Sequence, residues 1–65
     1  AEAVKWFLKS AEQGVAPAQA MLGEMYLAGR GVAKDEGEAI KWFRKATAQG
    51  SAGAIAALKR LGAEK

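Results

Sequence analysis

The chain has 65 residues and a formal net charge of +3 from ten basic and seven acidic side chains, and it contains neither cysteine nor histidine. A disulfide framework, a thiolate metal site, a thiol nucleophile and the commonest general base are thereby removed, and the mild charge lacks the clustered footprint of a dedicated nucleic-acid binder. Hydrophobic residues make up 51%, but 16 of them are alanine, which leaves 17 larger side chains for a core and favours thin, closely packed helices. No apolar run approaches the ~18 residues of a membrane span, and Ala1 to Lys5 show no signal-peptide pattern, so a soluble chain without membrane insertion is expected.

Taken in chain order, the first element places Ala3, Trp6, Phe7, Ser10 and Ala11 on one stripe with i, i+3, i+4, i+7 spacing, which predicts a helix over about 2–13. Gly14 suits a left-handed helix end, and Pro17 suits the first turn of a second helix over about 17–28, because its missing N–H has no intrahelical partner there. That helix carries Ala18, Met21, Leu22, Met25 and Tyr26 on one stripe and ends at Gly29. The turn between the two is short enough to require antiparallel packing. A loop follows, Gly29-Arg30-Gly31-Val32-Ala33-Lys34-Asp35, in which two glycines permit positive φ and Val32 is the apolar pin that holds the loop on the core. Asp35 caps the next helix, and Glu38 completes a capping box three residues later. The third helix, over about 36–49, carries Ala39, Trp42, Phe43, Ala46 and Thr47, and the fourth, over about 52–62, carries Ala54, Ala57, Leu58 and Leu61.

The third and fourth helices repeat the first two. Residues 2–14 read EAVKWFLKSAEQG and residues 38–50 read EAIKWFRKATAQG, an offset of 36 with eight of the thirteen pairs identical. Random pairing gives about one identity, so one unit is used twice, as repeat 1 over 1–36 and repeat 2 over 37–65 of a single domain. The two copies of EA[VI]KWF, the helix end Ser10-Ala11-Glu12-Gln13-Gly14, the following Ala18-Gln19…Leu22-Gly23…Tyr26…Gly29 and the Gly29-Arg30-Gly31-Val32…Asp35 loop resemble the Sel-1-like repeat. This family is a branch of the tetratricopeptide-like α/α solenoids, with a period near 36 in bacteria. The resemblance implies an all-α, right-handed superhelix of antiparallel helix pairs, here four helices in two repeats. It also implies a scaffold or adaptor role in protein complexes, without catalysis or cofactor.

Departures from the family pattern are confined. Ala33 stands where proline is usual and Glu36 where an aromatic residue is usual. In the last helix Gln19, Gly23 and Met25-Tyr26 are replaced by Ile55, Lys59 and Leu61-Gly62, which reads as the terminal cap of an array, since Gly23 lets a following helix approach and Lys59 prefers water. The first repeat lacks a counterpart of the Asp35 cap and its loop, so the chain is expected to be the C-terminal piece of a longer bacterial array, or an engineered piece cut from one, with the compartment open between cytoplasm and periplasm. Leu8 stands where the second copy has Arg44, so an upstream repeat or another copy of the chain is expected to cover it.

The aromatic pairs Trp6-Phe7 and Trp42-Phe43 share the alanine stripe and are read as core, together with Ala3, Ala11, Ala18, Leu22, Gly23, Tyr26, Val32, Ala39, Ala54 and Leu58. Asp35, Glu36 and Glu38 cluster at a helix start, where capping and the helix dipole account for them, and no nucleophile accompanies them. Gly29-x-Gly31 follows a helix instead of a strand and lacks a third glycine in register, which makes it a turn and no phosphate loop. The positional candidate for partner binding is a basic ladder of Lys5, Lys9, Lys41, Arg44 and Lys45 on the first and third helices, suited to an acidic peptide or a terminal carboxylate. Nucleic acid is the weaker reading of the same cations. The competing reading is a solvated face laced with charge pairs, since Glu2, Glu12 and Glu38 lie three residues from Lys5, Lys9 and Lys41. A structural role, as capping repeats or as a self-associating pair, stands as the alternative function.

Overall fold

The computed structural model of the chain describes residues 2–62, and the surroundings of side chains from Val4 to Gly62. Four helices run in the order α1 (Glu2–Glu12), α2 (Ala16–Ala28), α3 (Glu36–Ala48) and α4 (Ala52–Leu61), and no strand occurs among the described residues. Packing joins α1 to α2, α2 to α3 and α3 to α4, with α2 against α3 the most extensive interface and a smaller contact between α2 and α4. Each helix thus packs chiefly on its neighbours in sequence, and among the described residues α2 alone touches the other three helices.

Local chemistry repeats as faithfully as the sequence does. At the end of α1 the Gly14 N–H donates to the Ala11 carbonyl (3.0 Å) and the Val15 N–H to the Ser10 carbonyl (3.2 Å), with Gly14 at φ +91°. At the end of α3 the Gly50 N–H donates to Thr47 (2.8 Å) and the Ser51 N–H to Ala46 (3.1 Å), with Gly50 at φ +84°. Both are Schellman closures, in which a left-handed glycine turns the chain and occupies carbonyls that the helix leaves without partners. The next helix starts differently in the two copies. Ser51 Oγ accepts from the Ala54 N–H (3.3 Å), whereas Val15 offers no side-chain cap and α2 has Pro17 in its first turn.

The loop between the repeats is tied to α2. Arg30 N–H donates to Met25 O and Asp35 N–H to Tyr26 O, both at 2.9 Å, while Gly31, at φ +78°, lies so close to α1 that an added Cβ would fall 2.7 Å from Val4 Cγ2. Val32 is half-buried beside these ties. Asp35 Oδ1 accepts from the Glu38 N–H at 3.1 Å, so the cap forms as expected. The expected capping box does not close, because the Asp35 N–H that Glu38 would need is taken by Tyr26, and the Glu38 carboxylate pairs with Lys41 at 3.4 Å. Tying the loop to α2 thereby takes the place of the second half of the box.

Two apolar clusters fill the interior. Ala39, Phe43, Ala46, Ala54, Ala57 and Leu58 pack between α3 and α4, with Tyr26 and Leu27 of α2 against them. Ala11, Ala18, Leu22 and Trp42 form the other, flanked by Phe7, Leu8, Met25 and Tyr26. Phe7 and Tyr26 are half-buried at its edge. Gly23 is buried where the Phe43 ring crosses α2, since a Cβ built on it would fall 2.7–2.9 Å from three ring carbons.

Two expectations are corrected. Trp6 is 63% exposed and lies outside both clusters, although it shares the stripe and spacing of Trp42, which is 7% exposed. The stripe predicts which side of α1 is apolar, but what buries Trp42 is the helix pair before it, and among the described residues no such pair packs on α1. Leu8 needs no outside cover, because it packs against the Ala11, Ala18, Leu22 and Trp42 cluster. The side chain of Ala3 lies outside the described residues.

Candidate partner-binding surface

The five cations of the proposed ladder sit on α1 and α3, and all are exposed. Their commitments differ. Lys41 pairs with Glu38 one turn earlier, and Lys45 Nζ lies 4.7 Å from the centroid of the Trp42 ring, a cation–π contact over the outer face of a buried aromatic. Arg44 is likewise engaged within the chain. On α1, Lys9 is spaced from Trp6 as Lys45 is from Trp42, yet no cation–π contact forms there, and Lys9 makes no ion pair with Glu12. Trp6 instead meets Phe7 edge-on, with ring centroids 5.1 Å apart at 74°. The surface charge-pair reading therefore describes α3, where Glu38–Lys41 forms, and not the described part of α1. The pairing expected between Glu2 and Lys5 lies outside the described residues.

Sequence reasoning missed a polar link that ties the two repeats together. Gln19, 4% exposed, donates from Nε2 to the Ala11 carbonyl (3.0 Å), and its Oε1 accepts from Gln49 Nε2 (3.1 Å). One amide thus bridges the end of α1 to the turn after α3. The signal available was the identity of Gln13 and Gln49 across the repeats and the replacement of Gln19 by Ile55, but neither spacing brings Gln19 and Gln49 together. Repeat 2 changes both partners of the first bond, with Thr47 for Ala11 and Ile55 for Gln19, and the buried Thr47 Oγ1 has no hydrogen-bond partner.

A second surface lies on α2. Met21 is 45% exposed, and with Glu24, Met25, Ala28 and Arg30 it lines an open hollow of about 420 Å³. Nothing in that lining is a nucleophile paired with a base. Among the described residues no three His, Cys, Asp or Glu side chains gather to hold a metal ion, and no helix is long and apolar enough to cross a membrane.

What the arrangement offers is contact area: an all-α array with a cationic edge, an apolar edge and interiors filled by alanine and aromatic rings. That is the character of a repeat scaffold. The family model of the Sel1 repeat matches residues 1–15 and 16–51, and the chain belongs to this family. The matched unit 16–51 begins at α2 and runs through α3, so it cuts the same 36-residue lattice half a period away from a division at residue 36. Sel1 repeats are in general protein-interaction modules without catalysis. Searches of curated proteins and of solved structures give no significant match.

Proposed function

We propose that the chain is a non-catalytic interaction module that engages an acidic segment of a partner protein through the cations of α1 and α3. The observation that carries this reading is the exposure of Lys5, Lys9, Lys41, Arg44 and Lys45 on two helices related by the 36-residue repeat. Cations repeated at one lattice spacing suit an extended chain with regularly placed carboxylates, which charge-assisted hydrogen bonds would hold. Lys45 is already positioned by the Trp42 ring, so less side-chain freedom is lost when it binds.

The test is titration of a Glu-rich peptide followed by fluorescence anisotropy. Charge reversal at Lys5, Lys41 and Lys45 is expected to weaken binding at least tenfold and to flatten its salt dependence, with helix content unchanged. Equal affinity of the reversed and native chains would remove the acidic-partner reading. A second reading, that α3 and α4 cap the end of an array, is favoured by Lys59 and Arg60, both exposed on α4 at the positions of Gly23 and Glu24.

A further inference from the structure

We infer that Lys45 is the anchoring cation of the partner-binding surface, with Trp42 as its positioning residue, and that Glu38 competes within the chain for the neighbouring cation, Lys41. The inference rests on the acidic-partner reading and deepens it. Two positions of the repeat carry the argument. Lys5 and Lys41 stand at one, Lys9 and Lys45 at the other, and all four are exposed. Lys5 and Lys9 are so with the pair α3 and α4 packed after them, and Lys41 and Lys45 with the pair α1 and α2 packed before them. Stacking on either side thus leaves both positions open.

Within α3 the two lysines lie four residues apart on one face, yet they are held differently. Lys45 Nζ lies 4.7 Å from the centroid of the Trp42 ring, and that ring is 7% exposed and fixed among Ala11, Ala18 and Leu22. The lysine therefore rests on a rigid base. A ring face attracts the ammonium by its charge and leaves N–H donors for a carboxylate, so Lys45 meets the partner with part of its freedom already lost. Lys41 is held instead by an acid, Glu38 Oε2 at 3.4 Å. A partner carboxylate takes Lys41 only by displacing that one, and Glu38 subtracts from what Lys41 contributes. The helix cap does not depend on the Glu38 side chain, because Asp35 Oδ1 accepts from the Glu38 backbone N–H.

Titration of the 65-residue chain with a Glu-rich peptide, read by fluorescence anisotropy at low salt, tests this through substitutions that remove equal charge. Lys45→Ala is expected to weaken binding about tenfold, and Lys41→Ala about threefold or less. Glu38→Gln is expected to strengthen it about two- to fivefold, the scale of an exposed ion pair, and Glu24→Gln, which removes the same charge from an exposed site on α2, by less than about twofold. In the Glu38→Gln chain, Lys41→Ala is expected to cost about as much as Lys45→Ala costs in the native chain. Trp42→Phe, which keeps a ring with a weaker hold on a cation, is expected to reduce the loss at Lys45 to about threefold with helix content unchanged. Equal losses at Lys41 and Lys45 overturn the proposal and leave the acidic-partner reading standing, as does a Glu38→Gln chain that binds no tighter than Glu24→Gln. A loss at Lys45 undiminished by Trp42→Phe overturns it as well. A native chain that binds no peptide overturns both readings.

Discussion

The tripeptide Lys-Trp-Phe occurs twice, at residues 5–7 and 41–43, on helices with the same apolar stripe, yet its tryptophan is exposed in one copy and buried in the other. Identical local sequence therefore leaves burial undecided. Trp42 lies between two helix pairs and closes the Ala11, Ala18 and Leu22 cluster, whereas among the described residues Trp6 belongs to neither buried cluster. In a stacked array a residue's energetic value depends on the neighbour it meets, and each pair buries its outer face only against the next.

The largest effect that would break this comparison is at the tryptophans themselves. Trp42→Ala is expected to cost about 3–5 kcal/mol, comparable with the whole stability of a domain this small, so chemical denaturation should find it largely unfolded. Trp6→Ala at micromolar concentration should stay within about 0.5 kcal/mol of the native chain. Equal losses at the two sites would mean that Trp6 is buried in solution. A middle effect lies at the seam between repeats. Gly23→Ala puts a methyl against the Phe43 ring and is expected to cost about 1–3 kcal/mol, read as a lower denaturation midpoint. Gly53→Ala, where an added Cβ meets nothing within 4 Å, should stabilise by up to about 1 kcal/mol. The smallest change sharpens the comparison of the two polar linkers. Thr47→Ala restores the residue of the first repeat and removes a buried hydroxyl without a partner, so a rise of about 1 kcal/mol is expected by thermal melting.

Much of the fold was legible because its signals are local. The stripes, Gly14 and Gly50 as left-handed helix ends, and Asp35 as a cap all depend on neighbours within five residues, and each helix lies within a residue or so of its expected span. The candidate surface was legible only as to which residues are exposed. That Lys45 would rest on Trp42 while Lys9 leaves Trp6 bare could not follow from a spacing the two copies share. Glu38 turned from the capping box to Lys41 because the Asp35 N–H went to Tyr26, a contact nine residues back along the chain. The Gln19 bridge was missed for a related reason, since its partner Gln49 is thirty residues away and only packing brings the two amides together.

The sequence by itself determined the class of this protein: a helical unit used twice at an offset of 36 residues, without histidine or cysteine, in the Sel1 repeat family, whose members are in general interaction modules. Helix periodicity and glycine stops are encoded turn by turn, and the repeat makes each signal count twice. Only the tertiary structure decided which copy of a repeated side chain is core and which is surface. Burial is set by whether a neighbouring helix pair is present, and the Trp6 stripe reads the same whether or not one is there.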